Sequence, residues 1–240
     1  MTDTRRRILE LLQKESSFSV EKLATDIGLA AATIRRHLDI LQRDGLVTFT
    51  EVRKGTGRPK YSFFLTEKGQ EALPKGYAKL LGLVAQELTF LTAEDTKTLN
   101  GEQILLSVLR RFAKRVYAEG DAAANNKNLN YRLEVLLRLL QEEDFSPDAT
   151  VAEGVLQIRL LNCPYRSVAL RNKTICSFDS SLISVALNHD TKLQERIQDG
   201  DSCCVYSIQV TAKEATELSQ ARDTSKGDHT IGQEKLFRTL

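Results

Sequence analysis

The chain has 240 residues, of which 41% are hydrophobic and 28% charged, and 34 Lys and Arg against 32 Asp and Glu give a formal charge of +2. That balance excludes a disordered chain and leaves an ordinary globular protein long enough for two modest cores. The N-terminus, M-T-D-T-R-R-R-I-L-E, reads as a capped amphipathic helix with no apolar run for a signal peptide or a membrane span, so a cytoplasmic protein with no membrane partner is expected.

Ser19 to Thr66 carries the densest pattern. Ser19 caps a helix whose Val20, Leu23, Ala24 and Ile27 share one face, and Gly28 allows a left-handed exit. In the next helix Ile34, Leu38 and Leu41 recur at helical spacing, which leaves Ala32, Arg35, Arg36, Asp39 and Arg43 on the opposite stripe. Ala30, just before it, is a weaker cap than Ser or Thr. After Gly45 two alternating strands flank a basic tip, with Arg53, Lys54, Arg58 and Lys60 around Gly55 and Gly57. Helix, glycine turn, arginine-bearing helix and basic hairpin in this order predict a winged helix-turn-helix that places its second helix in a major groove and its wing on the phosphates. Thr33, Arg35, Arg36 and His37 on the helix, and Arg53, Lys54, Arg58 and Lys60 on the wing, are the candidate contacts to double-stranded operator DNA. Charge agrees, since residues 1 to 68 hold 13 Lys and Arg against 9 Asp and Glu, a surplus of four, while the remainder is net negative by two.

Thr66 caps a short helix, and Pro74 with Gly76 breaks the chain before a longer one. Tyr77, Leu81, Val84, Leu88 and Leu91 alternate four and three residues apart, a seam of about two heptads that predicts a homodimer. Helices over Glu102–Glu119 and Leu129–Glu142 follow, separated by the polar loop A-E-G-D-A-A-A-N-N-K-N. Beyond D-F-S-P-D, Val151–Leu161 and Cys204–Val210 read as strands, with helices near Tyr165–Asn172 and Phe178–Leu187 between them, and the residues after about Lys213 as a helix running into a loose polar tail. The expected architecture is α+β: a DNA-binding head over 1–74, a helical linker and dimerisation region over 75–145, and a small α/β sensor domain over 146–240.

All four cysteines fall in that last region, spaced C-x12-C-x26-C-C. In a reducing compartment clustered thiols serve more often as ligands or redox centres than as disulfides. Cys163 follows a strand, Cys176 precedes a helix and Cys203-Cys204 opens a strand, so three stations can converge. The spacing matches neither zinc ribbons nor bacterial ferredoxins and does not name the metal. Neighbours on a strand point to opposite faces, which keeps Cys203 and Cys204 from sharing one centre and leaves a fourth ligand open.

The segments T-I-R-R-H-L-D-I-L-Q-R-D-G-L-V, G-R-P-K-Y-S-F-F-L-T-E-K-G-Q-E and P-K-G-Y-A-K-L-L, with N-C-P-Y and G-D-S-C-C downstream, resemble the SufR family of dimeric winged-helix repressors of iron-sulfur assembly operons, whose N-terminal domain is DeoR/ArsR-like. The resemblance spans nearly the whole chain. It implies a [4Fe-4S] cluster held by Cys163, Cys176 and Cys204, whose presence favours operator binding and whose loss relieves repression. Cyanobacterial members tend to carry a further cysteine where this chain reads L-N-H-D, which leaves the fourth position to His189, Asp190, Cys203, a water or a small thiol. A zinc- or metalloid-responsive repressor would use the same thiolates. A thiol or redox enzyme fits less well, because the chain has three histidines, no Cys-His pairing signal and no glycine-rich nucleotide loop, so no catalytic activity is expected.

Overall fold

The computed structural model describes residues 3–14, 17–52, 60–120 and 128–226. Two hydrophobic cores divide them. The first joins α1 (Asp3–Lys14), α2 (Val20–Ile27), α3 (Ala31–Arg43), β1 (Val47–Val52) and β2 (Lys60–Leu65). Ser19 Oγ accepts the Lys22 amide at 3.2 Å, Gly28 exits α2 at φ +76°, and Ala30 gives α3 no side-chain cap. Ile34, Leu38 and Leu41 fill the core with Ile8, Leu9 and Leu23. β1 and β2 pair antiparallel, Val47 opposite Leu65, and Phe18 adds a single bridge to Phe63. α4 (Glu67–Glu71), capped by Thr66, presses against this unit so closely that a Cβ on Gly69 would stand 2.0 Å from the Leu46 carbonyl oxygen.

The second core gathers α5 (Tyr77–Thr89), α7 (Gly101–Gly120), α8 (Leu129–Glu142), β3 (Pro147–Ala152), β4 (Val155–Leu160), α9 (Arg166–Ala169), a 3-10 turn at Lys173–Cys176, α10 (Ser177–Leu187), β5 (Thr191–Glu195), β6 (Cys204–Gln209) and α11 (Ala212–Lys226), while the short α6 (Ala93–Thr96) between α5 and α7 buries no residue. The sheet runs β3-β4-β6-β5, each pair antiparallel. Apolar on most of its surface, α10 packs on α7 and α8 and reaches the sheet beside β5. Phe178 stacks on Phe112 at 4.6 Å and lies within 6.4 Å of the Phe145 and Tyr165 rings.

Several expectations change. The boundary placed at 145/146 does not separate two cores, because Leu80, Leu109, Phe112 and Leu136 pack in one cluster with Leu156, Phe178 and Tyr206. Amphipathic helices with one apolar stripe need a partner surface, and the sheet supplies it. The strand expected over Val151–Leu161 is a hairpin, folded at Glu153 and Gly154, both left-handed at φ 50° and 74°. The helix expected over Tyr165–Asn172 shortens to Arg166–Ala169, and β5, polar along T-K-L-Q-E, forms an edge strand that its sequence did not announce. α11 runs to Lys226; residues 227–240 lie outside the described residues, as do 121–127 of the expected loop. The α5 seam also splits: Val84 packs inward and Tyr77 bonds to Ser167, while Leu81 and Leu88 stay 71% and 47% exposed.

Phe178 is fully buried at the meeting point of three rings. Phe178→Ala should lower unfolding free energy by about 3–5 kcal/mol in denaturant titration of the second core, the usual cost of emptying an aromatic site.

Candidate functional site

On α3, Thr33, Arg35 and Arg36 are exposed while Ile34 and Leu38 are buried, so the polar stripe faces away from the core. Arg35 Nη2 meets Glu21 Oε1 of α2 at 3.3 Å, a pair largely in water that gives way cheaply to a phosphate or base edge. His37 is half-buried with Nδ1 unpartnered. Lys60 opens β2, and Arg53, Lys54 and Arg58 lie outside the described residues.

The second locus is a cavity of about 20 Å³ lined by Cys163, Cys176, Cys204, Asp179, Tyr165, Arg196 and Gln198. Three pieces of chain build it. Cys163 leaves β4 behind Asn162, which is buried and clamps the turn before β3 by accepting the Ser146 amide and donating to Asp144 O at 2.8 Å. Cys204 opens β6 opposite Leu160 of β4, and the two-residue pleat puts Cys204, Tyr206 and Ile208 on the buried face. Cys176 ends the 3-10 turn against the start of α10, where Gln198 Nε2 donates to its sulfur at 3.4 Å. Cys203 takes the opposite face of the sheet, where Arg159 Nη2 approaches its sulfur at 3.9 Å in a cleft shared with Leu12, Phe64 and Glu67 of the head.

Burial governs the chemistry of this cavity. It pushes the Cys163 thiol up to about 12 and Cys204 to about 11, with the nearby Asp179 carboxylate adding to the effect, and it raises Cys176 strongly in the same way. The thiols are therefore neutral near pH 7, and a metal that takes them as thiolates must expel their protons. Burial also raises Asp179 to about 6, against the opposing hydrogen bond that Tyr206 Oη donates to its Oδ2 at 2.8 Å. Tyr165 Oη and Gln198 Oε1 are buried without a partner, the kind of orphaned polar atom a bound group satisfies. Three thiols and a carboxylate suit iron or zinc. Among the described residues, however, no three His, Cys, Asp or Glu groups stand close enough to hold a single ion. The present room is about that of one water, so a larger group needs an outward shift of a wall.

One wall is also a joint. Gly76 N–H donates to Pro164 O at 3.1 Å, Lys75 Nζ reaches Cys163 O at 3.5 Å, and Ser167 donates to Tyr77 Oη through N–H and Oγ at 3.1 and 2.7 Å. Arg166 grips Glu67 of α4 with Nε and Nη2 at 3.2 and 2.7 Å, which lowers the Glu67 pKa. A Cβ on Gly76 would stand 2.9 Å from Cε1 of the buried Tyr165 ring. Sequence spacing gave no sign of Asp179 or of this joint, because both depend on how α10 and α5 pack.

A family profile described as winged helix-turn-helix DNA-binding matches residues 1–48. The head is a winged helix-turn-helix. Among solved structures, the chain is similar to Bacillus subtilis PadR in complex with operator DNA, with 20% identity over 60% of this chain and 91% of that one, and a TM-score of 0.28. That score is too low to align their architectures. No curated protein is significantly similar to the chain. No helix among the described residues is long and apolar enough to cross a membrane.

Asp179 yields a test of pH dependence. Its folded pKa of about 6 exceeds the ordinary 3.8, so the folded state binds the proton more tightly. The resulting stabilisation is complete below about pH 4 and is lost as pH rises through 6. In the metal-free protein, Asp179→Asn should flatten that decline and gain on the order of 2 kcal/mol over wild type at pH 7, read from denaturant titrations at pH 4 to 7. A variant that keeps the wild-type pH profile would show that Asp179 does not titrate in this range.

Proposed function

We propose that this protein is an iron-sulfur-cluster-sensing transcriptional regulator, a homodimeric repressor of iron-sulfur assembly genes that binds operator DNA while a [4Fe-4S] cluster is held by Cys163, Cys176 and Cys204. The observation that carries this reading is the shared cavity of the three cysteines, one wall of which is hydrogen-bonded to the foot of a DNA-binding head. When bound, the cluster supplies a ligand framework sensitive to iron supply and oxidation. This chain's own residues do the rest. Cys163 to Ser167 link the cavity wall to Glu67, Lys75, Gly76 and Tyr77, so a shift of that wall moves the base of the head. The wall must prefer different positions in the two states, because only a differential interaction shifts an equilibrium.

Dimerisation is supported by α5, where Leu81 and Leu88, seven residues apart, stay exposed together with Phe90 at the helix end. A second copy of α5 covers such a stripe, and two heads then read half-sites one turn apart. Thr33, Arg35, Arg36 and His37 face the bases in this reading, with Arg53, Lys54, Arg58 and Lys60 on the phosphates. A zinc- or metalloid-responsive repressor, using the same three thiols, is the second reading. Among the described residues no Cys-His pair supports a thiol enzyme, and a regulator working inside the cytoplasm is the reading we adopt.

Anaerobically purified protein should be brown, with iron and sulfide in equal amounts and no zinc; a colourless zinc protein would favour the second reading. Loss of Cys163, Cys176 or Cys204 to Ala should weaken operator binding, and unchanged affinity in all three variants removes cluster control. Arg35→Ala or Arg36→Ala should cost about 1–3 kcal/mol of operator affinity in a binding titration if the side chain reads a base. Gly76→Ala, which wedges the joint against Tyr165, should leave iron and sulfide content intact while bringing the affinities measured with and without the cluster toward each other.

A further inference from the structure

Three thiols leave one position of a four-ligand centre unfilled, and none of the donors offered by the sequence reaches the cavity. His189 holds Leu187 O with Nδ1 at 2.8 Å and faces Glu214 with Nε2 at 3.4 Å. Asp190 precedes β5, whose Thr191 pairs with Ile208, four residues along β6 from Cys204 and so roughly 13 Å away at strand rise. Cys203 opens into the cleft on the other face of the sheet.

Asp179 does reach it. It lies three residues after Cys176 in the first turn of α10, so the two share a side of that turn, and it lines the same cavity as Cys163, Cys176 and Cys204 while only 6% exposed. Tyr206, which donates to its Oδ2 at 2.8 Å, stands two residues past Cys204 on the same face of β6, so the carboxylate meets the strand that carries Cys204. Among the described residues no salt bridge is formed by Asp179; the Asp179 and Ser180 amides and the more distant Arg196 charge favour its carboxylate, yet burial outweighs them. A carboxylate buried this deeply without a salt bridge lowers stability, and groups so perturbed cluster at functional sites.

We propose that Asp179 is the fourth protein ligand of the centre, a carboxylate oxygen beside the thiolates of Cys163, Cys176 and Cys204, oriented by the Tyr206 hydroxyl. The assignment rests on the cluster reading above. A hard oxygen ligand among soft sulfurs makes one iron unlike the others and easier to lose. Ligating carboxylates are themselves hydrogen-bonded, and Tyr206 supplies that bond.

The test compares full-length wild type, Asp179→Ala, Asp179→Cys, Tyr206→Phe and Cys163→Ala after anaerobic reconstitution with iron and sulfide. It measures iron and sulfide content, the rate of cluster decay in air, and the electron paramagnetic resonance signal of a three-iron product. Asp179→Ala should decay about tenfold faster and show the three-iron signal early, Tyr206→Phe should fall between it and wild type, and Asp179→Cys should outlast wild type. Circular dichroism of each metal-free variant reports folding, and Asp179→Cys keeps the comparison open if the alanine variant does not fold. Asp179→Ala and Asp179→Cys both matching wild type in content, decay and signal would overturn the ligand assignment and leave the cluster reading standing. Wild type that takes up no iron and sulfide, or Cys163→Ala that takes up as much as wild type, would instead overturn the cluster reading.

Discussion

The segment Cys163 to Ser167 touches both halves of the molecule at once. Its first residue carries a thiol into the cavity, and the backbone oxygens of Cys163 and Pro164 face the Lys75 ammonium and the Gly76 amide. Arg166 then crosses to Glu67 on α4, and Ser167 to Tyr77 at the start of α5. Gly76 permits this approach, because the fully packed Tyr165 ring leaves no space for a side chain there. Behind the segment, Asn162 is fixed by two hydrogen bonds to the turn ahead of β3. The segment is thus anchored at one end beside the sheet and bonded at the other, through Arg166, to α4.

The cavity is kept at an electrostatic cost. Buried thiols that are neutral near pH 7 lose nothing by burial, but a carboxylate in the same space does. Apolar residues of similar volume would pack around Phe178 at least as well. The polar lining, with the orphaned Tyr165 hydroxyl and Gln198 oxygen, therefore points to chemistry rather than to stability.

How much of this was legible in the sequence follows from the range of the interactions. The head was readable because its caps, its glycine turn and its helical period are local signals, and Ser19, Gly28 and Ile34, Leu38 and Leu41 stand where the pattern put them. Opposite faces for Cys203 and Cys204 followed from the pleat alone. The hairpin at Glu153-Gly154 was missed because apolar alternation continues on both sides of the turn, and β5 because a polar edge strand carries little hydrophobic signal. Asp179 left no trace in spacing, since it belongs to a helix whose neighbours in space come from β6 and the loop after β4.

Two separate cores joined by polar contacts set the scale on which a signal can pass. The Arg166 and Glu67 pair, with Glu67 mostly in water, is worth about 0–1 kcal/mol, and each neutral hydrogen bond of the joint about 0.5–1.5 kcal/mol. Their sum is a few kcal/mol, similar to the roughly 1–3 kcal/mol by which one site usually biases another. A head fused to the sheet through a common apolar core would cost far more to move, since each large side chain pulled from such a core costs about 2–5 kcal/mol. Hydrophobic burial therefore holds each unit together, while among the described residues the Arg166–Glu67 pair and the chain between α4 and α5 tie the head to the second core. That division lets a shift of the Cys163 wall, driven on the reading proposed here by cluster occupancy, reach the recognition helix as a change in the angle of the head.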